Sequence, residues 1–311
     1  MLLAPMAGIT DVPFRDLVSG FGAGLVVSEM VASQEMVQAK RGVRERAALG
    51  LGAETTAVQI AGRDAYWMAE AARHLEGQGA RLIDINFGCP AKKVVSGWSG
   101  SALMREPDHA LRLIEAVVGA VRVPVTIKMR LGWDETCPNA PEIAARAEAA
   151  GIAMVTVHGR TRCQFYEGRA DWSAIGAVKR AVRIPVIANG DIVDAKTARA
   201  ARAASGADGV MVGRGVQGRP WRLAEIAAEL HGTPAPRIPR GDALRDLALA
   251  HADAACRFYG RALGLRTVRK HLGWYMDAAG TPKALRRAVL TADDPRTLAP
   301  HLDRALMTEA A

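Results

Sequence analysis

Eight short apolar segments recur along the first two-thirds of the chain, and most of them are rich in β-branched residues. They cover residues 2–6, 25–30, 55–60, 82–85, 124–129, 154–157, 185–188 and 209–212. Short runs that are apolar on both faces are typical of strands buried inside a parallel sheet. Stretches with helical spacing lie between them, at residues 65–78, 108–121, 141–150, 172–182 and 194–204. The alternation predicts right-handed βαβ units.

Eight such units favour a (β/α)₈ TIM barrel over an open doubly wound sheet. No G-x-G-x-x-G sequence follows the first segment, which weakens a dinucleotide-binding interpretation. A stretch with three prolines, at 232–241, predicts a stiff linker. Beyond it the pattern is helical, at 242–259, 261–279, 281–290 and 300–308. We therefore predict an α/β TIM-barrel catalytic domain at 1–235, followed by a small C-terminal helical domain at 236–311.

Composition narrows the class of protein. Half of the 311 residues are hydrophobic and 23% are charged, as in ordinary globular proteins. The absence of a long apolar run and of a basic leader predicts a cytoplasmic protein without a membrane partner. Four widely spaced cysteines without a C-x-x-C pair argue against a disulfide framework and against a metal site.

Positive charge is concentrated after the linker. The chain carries a net +9, and from residue 236 onward 13 Lys and Arg face 8 Asp and Glu. Arg266, Arg269 and Lys270 lie near Trp274 and Tyr275, and basic groups beside aromatic rings suit RNA binding. We predict that Arg269 and Lys270 contact RNA. A solvated helix face with both aromatic rings in the core is the alternative.

Polar and glycine residues gather directly after the predicted strands, at the rim where TIM barrels build their active sites. After the last two strands, backbone N–H groups near glycines suit a phosphate, as in FMN or a phosphorylated substrate. The residues of this predicted phosphate cradle are Asn189, Gly190, Asp191, Gly213 and Arg214. A loop or helix-cap role is the alternative for any one of them.

Lys128 ends the fifth predicted strand, where it could stabilise the anionic N1/O2 edge of a reduced flavin. The alternative is an ion pair with Asp84 or Glu29. Gln59 would hydrogen-bond the other edge of the flavin ring, together with the backbone of Pro5, Met6 and Ala7.

Cys89 stands just past the fourth predicted strand, in a break fixed by Asn86 and Pro90. A lone cysteine is usually a small buried hydrophobe, and Cys137 and Cys163 lie in comparable loops. We interpret Cys89 as the reactive thiol. The glycine-rich loop that follows it, with two lysines, indicates a cationic lid.

Seven motifs together resemble the tRNA-dihydrouridine synthase family, and the segments 4–11 and 84–94 resemble its bacterial B-type branch. They are APMAGITD at 4–11, VQIAG at 58–62, DINFGCP at 84–90 with KKV at 92–94, TIKMR at 126–130, VHGRTR at 157–162, NGDI at 189–192 and VGRG at 212–215. The resemblance covers essentially the whole chain. It implies FMN as cofactor, NADPH (or NADH) as electron donor, and reduction of a uridine in the tRNA D-loop. The first strand begins almost at Met1, so we expect either a start further upstream or a barrel without a leading segment over its bottom.

The resemblance also implies roles for single residues. Asn86 and Arg130 would bind the substrate, and Lys128 and His158 the flavin. Hydride would reach C6 of the flipped-out uracil, while Cys89, as a neutral thiol, would give a proton to C5. An unperturbed thiol, with a pKa near 8.5, is mostly protonated at pH 7. Two lid residues would close onto RNA phosphates, Lys92 and Lys93.

Two other functions stay open at this point. One is an FMN barrel that reduces a small pyrimidine, like a dihydroorotate or dihydropyrimidine dehydrogenase. The other is an RNA-binding protein built on an inactive barrel. No protein partner is implied by the sequence, and neither the oligomeric state nor the modified D-loop position can be read from it.

Overall fold

Nine parallel strands form one sheet in the computed structural model, which describes residues 1–40, 42–51 and 53–307. The strands are β1 (Leu2–Leu3), β2 (Leu25–Val27), β3 (Val31–Ala32), β4 (Thr56–Ala61), β5 (Ile83–Phe87), β6 (Val125–Arg130), β7 (Met154–His158), β8 (Val186–Asn189) and β9 (Gly209–Val212). Their order is β2-β1-β9-β8-β7-β6-β5-β4-β3, and a further β2–β4 pairing closes the ring. The predicted TIM barrel is therefore confirmed.

Helices surround the barrel and continue beyond it. Those of the barrel half are α1 (Val12–Gly20), α2 (Ser33–Val37), α3 (Val43–Ala47), α4 (Ala65–Gly77), α5 (Lys92–Val95), α6 (Pro107–Val118), α7 (Ala140–Ala149), α8 (Trp172–Ala181), α9 (Ala195–Ser205) and α10 (Arg222–His231). After the coil at 233–240 come α11 (Asp242–Tyr259), α12 (Arg261–Ala278), α13 (Lys283–Thr291) and α14 (Pro295–Leu306). Short 3₁₀ turns span Ala53–Thr55, Gly100–Arg105 and Arg214–Val216.

Local chemistry sets several helix starts. Asp64, Asp171 and Asp194 each accept a hydrogen bond from the backbone N–H three residues later. At α9 the cap is reciprocal, because Thr197 Oγ1 also accepts from the N–H of Asp194. These caps place the helix N-termini directly after the loops at the carboxyl ends of the strands.

Two details of the predicted elements were wrong. The second predicted strand, 25–30, breaks after Val27, and the separate short strand β3 pairs with the end of β4. The last helix begins at Pro295, not at residue 300, and Pro300 lies inside it. Proline is favoured in the first turn of a helix, so the sequence pattern placed the start at Pro300. In the structure Pro295 occupies that first turn. The predicted end of this helix at 308 lies outside the described residues.

Strand alternation separates an outward apolar shell from the residues that point into the lumen, which are apolar at one end and polar at the other. Alternate residues such as Ile83, Ile85 and Phe87 belong to the large core between strands and helices. Residues of the opposite parity point inward, where a small apolar cluster, which includes Leu2, Ile187 and Met211, fills the lumen. Further along the strands the inward positions are polar. Because side chains alternate with period two, the pairing register of the strands determines which residues face the helices and which point into the barrel.

The helical half has its own apolar core and packs directly on the barrel half. Trp221, which precedes α10, belongs to the core built by α11 to α14. Phe21 contacts Trp221 at 5.9 Å between ring centroids, and Phe14 of α1 lies 4.7 Å from His271 of α12. The coil after α10 therefore connects two halves that share apolar contacts. The boundary between residues 235 and 236 stays a prediction.

Candidate active site

The inward polar residues of neighbouring strands lie side by side at the carboxyl end of the barrel. The parallel registers pair Gln59 with Asp84, and Asn86 with Lys128. On the next strands Arg130 pairs with His158, and His158 with Asn189. Residues that are 130 positions apart in sequence thus line one mouth, because all strands run in the same direction.

A buried chain of hydrogen bonds crosses three strands and ends at the Cys89 loop. Thr126 Oγ1 and Gln59 Nε2 each donate to the Asp84 carboxylate at 2.7 Å. Asn86 Nδ2 in turn donates to Gln59 Oε1 at 2.7 Å. Asn86 Oδ1 then accepts from the backbone N–H of Cys89 at 2.9 Å. The chain fixes the Asn86 amide orientation, and so fixes the backbone that carries the thiol.

The loop around Cys89 is held from its other side as well. The Cys89 carbonyl accepts hydrogen bonds from the Ser101 N–H at 3.1 Å and from Ser101 Oγ at 2.8 Å. Gly100 has φ +61°, and a Cβ there would lie 2.9 Å from the Cys89 carbonyl oxygen. Glycine is therefore required for this close approach. Cys89 itself is half-buried, so its position is fixed while part of it stays accessible.

Arg130 is buried and braces two loops. Its Nε donates to the Gly88 carbonyl at 2.9 Å, and its Nη1 donates to the carbonyls of Thr161 and Phe165 at 2.7 and 2.8 Å. It also lies 5.4 Å from the Tyr166 ring centroid. The placement ties the Cys89 loop to the loop after β7. The predicted substrate contact of Arg130 stays a prediction, and bracing is the role that its bonds support.

Lys128 points into the mouth between β5 and β7. Lys128 forms no salt bridge with any described residue, and Asp84 attracts it only at longer range. The alternative of a direct ion pair with Asp84 or Glu29 is therefore not supported. Burial, together with the charge of Arg130 and against the attraction of Asp84, lowers the pKa of Lys128 to about 8. An ammonium in this position is available to an anionic ligand.

His158 faces the densest group of cations. Burial, followed by the charges of Lys128, Arg130, Arg160 and Arg214, holds the pKa of His158 well below its ordinary value. The ring is therefore neutral at pH 7. Arg160 Nη1 lies 3.2 Å from His158 Nε2, so that nitrogen is the acceptor and Nδ1 carries the proton. His158 can offer a hydrogen bond but no charge.

Asp191 is the carboxylate within this group. It forms a salt bridge with Arg160 at 2.6 Å, lies 3.6 Å from Arg214, and accepts from the Ala170 N–H at 2.8 Å. Burial alone would raise its pKa, but these partners bring the pKa of Asp191 below its ordinary value. Four cations outnumber the two carboxylates of this mouth, Asp191 and the more deeply buried Asp84, and leave it positively charged. This excess charge fits a phosphate or an anionic ring.

The predicted phosphate cradle lies beside these charges. Gly190 has φ +109°, and a Cβ there would lie 2.8 Å from Ala170 Cβ and 3.0 Å from His158 Cδ2. Asn189 is buried and donates from Nδ2 to the Met211 carbonyl at 2.8 Å, which joins β8 to β9. A Cβ at Gly213 would make only ordinary van der Waals contacts, with Ala4 and Met6, so glycine is not required there by close packing. The cradle roles stay predictions.

The loop after β1 is clamped between the two halves of the molecule. Pro5 and Met6 are half-buried and Ala7 is exposed. The next residue, Gly8, donates its N–H to the Glu29 carboxylate and accepts at its carbonyl from Lys270 Nζ. Lys270 thus reaches from α12 to the barrel rim. Lys270 Nζ therefore bonds to the protein backbone, although sequence alone assigned it to RNA.

The other residues assigned to RNA lie in different surroundings. Lys92 and Lys93 are exposed on α5, as the lid prediction requires. Arg269 Nη2 donates to the Ala292 carbonyl at 3.2 Å, within the helical half. Tyr275 is fully buried and its hydroxyl lies 2.9 Å from His251 Nδ1, so for Tyr275 the core alternative was right.

Cys137 and Cys163 are exposed, while Cys256 is half-buried in α11.

Sequence reasoning missed several functional positions. Asp84 was named only as a possible ion partner, although a carboxylate inside an apolar strand signals a buried hydrogen-bond network. Arg160 donates to Asp191 and to the Glu167 and Gly168 carbonyls, and the HisGlyArg motif carried that signal. Thr126 and Ser101 gave no signal beyond their residue type.

The described residues contain neither a metal-binding cluster nor a membrane-spanning helix. Among residues 1–40, 42–51 and 53–307, no group of three His, Cys, Asp or Glu side chains is arranged to hold a metal ion. Across the same residues, no helix combines the length and apolarity needed to cross a bilayer.

Comparison with known proteins agrees with this geometry. The family model for dihydrouridine synthases matches residues 2–311. A probable tRNA-dihydrouridine synthase of Rhodobacter capsulatus is 64% identical over 95% of this chain and 91% of its own length. One from Rhizobium leguminosarum is 54% identical, covering 98% and 95%. The tRNA-dihydrouridine synthase B of Xanthomonas axonopodis is 46% identical, covering 95% and 89%. The chain therefore belongs to the dihydrouridine synthase family.

Proposed function

We propose that this protein is an FMN-dependent tRNA-dihydrouridine synthase that reduces the C5=C6 bond of a D-loop uridine, with NADPH (or NADH) as the electron donor. Family membership supports the reaction and the tRNA substrate. One observation carries the assignment to this mouth. The half-buried Cys89 is fixed by Asn86, the register partner of Lys128, a half-buried cation without a salt bridge among the described residues.

The residues of the mouth fit FMN. Four cations act on the His158 position and outnumber the carboxylates of Asp191 and Asp84, which suits a phosphate and an anionic flavin ring. Lys128 would hold the N1/O2 edge, and the loops at Asn189–Asp191 and Gly213–Arg214 would hold the phosphate. Once bound, FMN supplies hydride chemistry.

The chain's own residues would orient the base and deliver a proton. Asn86 is locked by its bonds to Gln59 and to the Cys89 N–H, so it cannot rotate freely when a base enters. Cys89 Sγ would transfer its proton to C5 of the uracil as C6 accepts hydride, which leaves a thiolate to be reprotonated from solvent. Arg130 would keep the thiol loop and the loop after β7 at a constant separation.

The test is dihydrouridine formation in an unmodified tRNA transcript with purified protein and NADPH. We expect Cys89→Ala to retain flavin and tRNA binding and to lose at least a hundredfold in product formation, as expected when a general acid is removed. The exposed cysteines Cys137 and Cys163, each replaced by Ala, are matched controls and should keep full activity. Product formation by Cys89→Ala at the parent rate would refute the proton-donor role. Turnover of free uracil with no reaction on tRNA would refute the proposed function.

A further inference from the structure

Five side chains at the barrel rim form a row in which aromatic rings and guanidinium groups alternate. Arg105 lies 5.8 Å from the Trp98 ring centroid and 4.9 Å from that of Trp133. Arg162 lies 4.7 Å from the Trp133 centroid and 4.6 Å from that of Phe165. We call Trp98, Arg105, Trp133, Arg162 and Phe165 the arginine–aromatic row. It joins the loops that follow β5, β6 and β7.

The two ends of the row are held in a costly conformation and remain in water. Trp98 has φ +56° and Phe165 has φ +48°, in the left-handed region that side chains with a Cβ rarely adopt. Trp98 is nevertheless 48% exposed and Phe165 41% exposed. The core gains little from either ring, so packing alone does not account for large aromatics at these positions. Presentation of the rings to a ligand does.

The two arginines of the row keep their charge available. Within the described residues neither Arg105 nor Arg162 forms a salt bridge, and Arg162 Nε is buried without a hydrogen-bond partner. Asp134, in the loop that carries Trp133, attracts Arg105 without a salt bridge, because its Oδ1 accepts from the Thr136 N–H and hydroxyl at 3.0 and 2.6 Å. The row therefore offers positive charge between flat apolar surfaces.

Both ends of the row are tied to the Cys89 loop. Arg130 bonds the Phe165 carbonyl and the Gly88 carbonyl at once. At the other end, Trp98 lies two residues before Gly100, where an added Cβ would lie 2.9 Å from the Cys89 carbonyl oxygen. A ligand lying along the row would thus border the mouth that holds the reacting base.

We propose that the arginine–aromatic row binds unpaired nucleotides that flank the target uridine of the RNA substrate. Their bases would stack on Trp98 and Phe165, and their phosphates would contact Arg105 and Arg162. Alternating planar rings and cations fit single-stranded RNA because every base has a stacking face and every nucleotide a charge. The proposal rests on the proposed function, and it adds a surface that holds the strand open beside the site.

The test measures tRNA binding and local stacking with the full-length protein. A tRNA transcript carries 2-aminopurine at a purine next to the target uridine, and anisotropy of an end label gives Kd. Trp98→Gly and Phe165→Gly should each weaken binding about tenfold, since stacking on one aromatic contributes about 5- to 100-fold. They should also reduce the 2-aminopurine response. Both variants remain foldable because glycine accepts these φ values, and their Tm should equal or exceed that of the parent.

Two further sets of variants separate stacking from charge and from general surface effects. Arg105→Lys and Arg162→Lys keep the charge but lose the planar stack, so Kd should rise about threefold with an unchanged salt dependence. Tyr66→Ala removes a ring on α4 that is still more exposed, at 62%, and that stacks with no guanidinium among the described residues. It should bind tRNA as the parent does.

The possible results separate this inference from the proposed function. If Trp98→Gly and Phe165→Gly bind the transcript with the parent's Kd and 2-aminopurine response, the row does not bind RNA and the inference is wrong. A protein partner would be one reason for that result. Absence of dihydrouridine from the parent reaction would instead overturn the proposed function, and the binding measurements, which need no turnover, would still decide the role of the row.

Discussion

Replacing Lys128 with methionine should make the flavin-free protein more stable at neutral pH while removing its activity. The side chain is half-buried, and its ammonium has no salt bridge to the residues that the structure describes. Burial and the neighbouring Arg130 lower its pKa from 10.5 to about 8. At about 1.4 kcal/mol for each tenfold change in acidity, this difference corresponds to about 3 kcal/mol. Methionine keeps the apolar stem and carries no charge.

The sign of the pH dependence follows from the two pKa values. Between about pH 8 and 10.5 the unfolded chain still carries the Lys128 proton while the folded chain has lost it. The unfolded state therefore binds more protons, and the free energy of unfolding of the parent rises with pH across this window. The advantage of Lys128→Met should be about 2 to 3 kcal/mol below pH 8 and should shrink by about 1.4 kcal/mol per pH unit above it.

Urea unfolding of parent and variant at pH 7, 8.5 and 9.5 measures this difference, because all other titrating groups are common to both proteins. Lys93→Met, at an exposed position, is the control for the loss of a lysine charge without burial. A Lys128→Met protein that is less stable than the parent at pH 7 would contradict the reasoning. So would a stability difference that stays constant from pH 7 to 9.5.

Two further predictions use matched variants. Gly190→Ala should lower the free energy of unfolding by about 2 to 4 kcal/mol, because the left-handed φ costs about 1 to 3 kcal/mol and the added Cβ meets Ala170 and His158. Gly22 has φ +101° and open space around it, so Gly22→Ala should lose only the cost of the left-handed φ in the same urea experiment. A Gly190→Ala loss equal to that of Gly22→Ala would show that the overlap is relieved freely. Lys270→Met should weaken flavin retention, measured by flavin fluorescence, and leave the salt dependence of tRNA binding unchanged, because Lys270 holds the Gly8 carbonyl. Arg266→Met, exposed on the same helix, is its control. A salt slope shallower by about 0.7 to 0.9 for Lys270→Met, with normal flavin retention, would instead show a phosphate contact.

The sequence by itself determined the barrel, its polar rim and the position of the thiol. Buried strands in a parallel barrel are apolar on both faces, so they stand out as short runs separated by helical spacing. The rim follows from the same pattern, because the residue after each strand must lie at the carboxyl edge. Family motifs, which sit at these strand ends, then pointed to the reaction.

Tertiary structure decided what each rim residue contacts. Arg130 and Lys128 are two residues apart on one strand. Arg130 donates to backbone carbonyls, whereas Lys128 forms no salt bridge with the described residues. Lys270 bonds Gly8 across 262 positions, which no local pattern encodes. The arginine–aromatic row is likewise assembled from three loops, and only the shared end of a parallel barrel brings them together. A sequence shows residue types and local spacing, whereas bonding depends on distances that the whole fold sets.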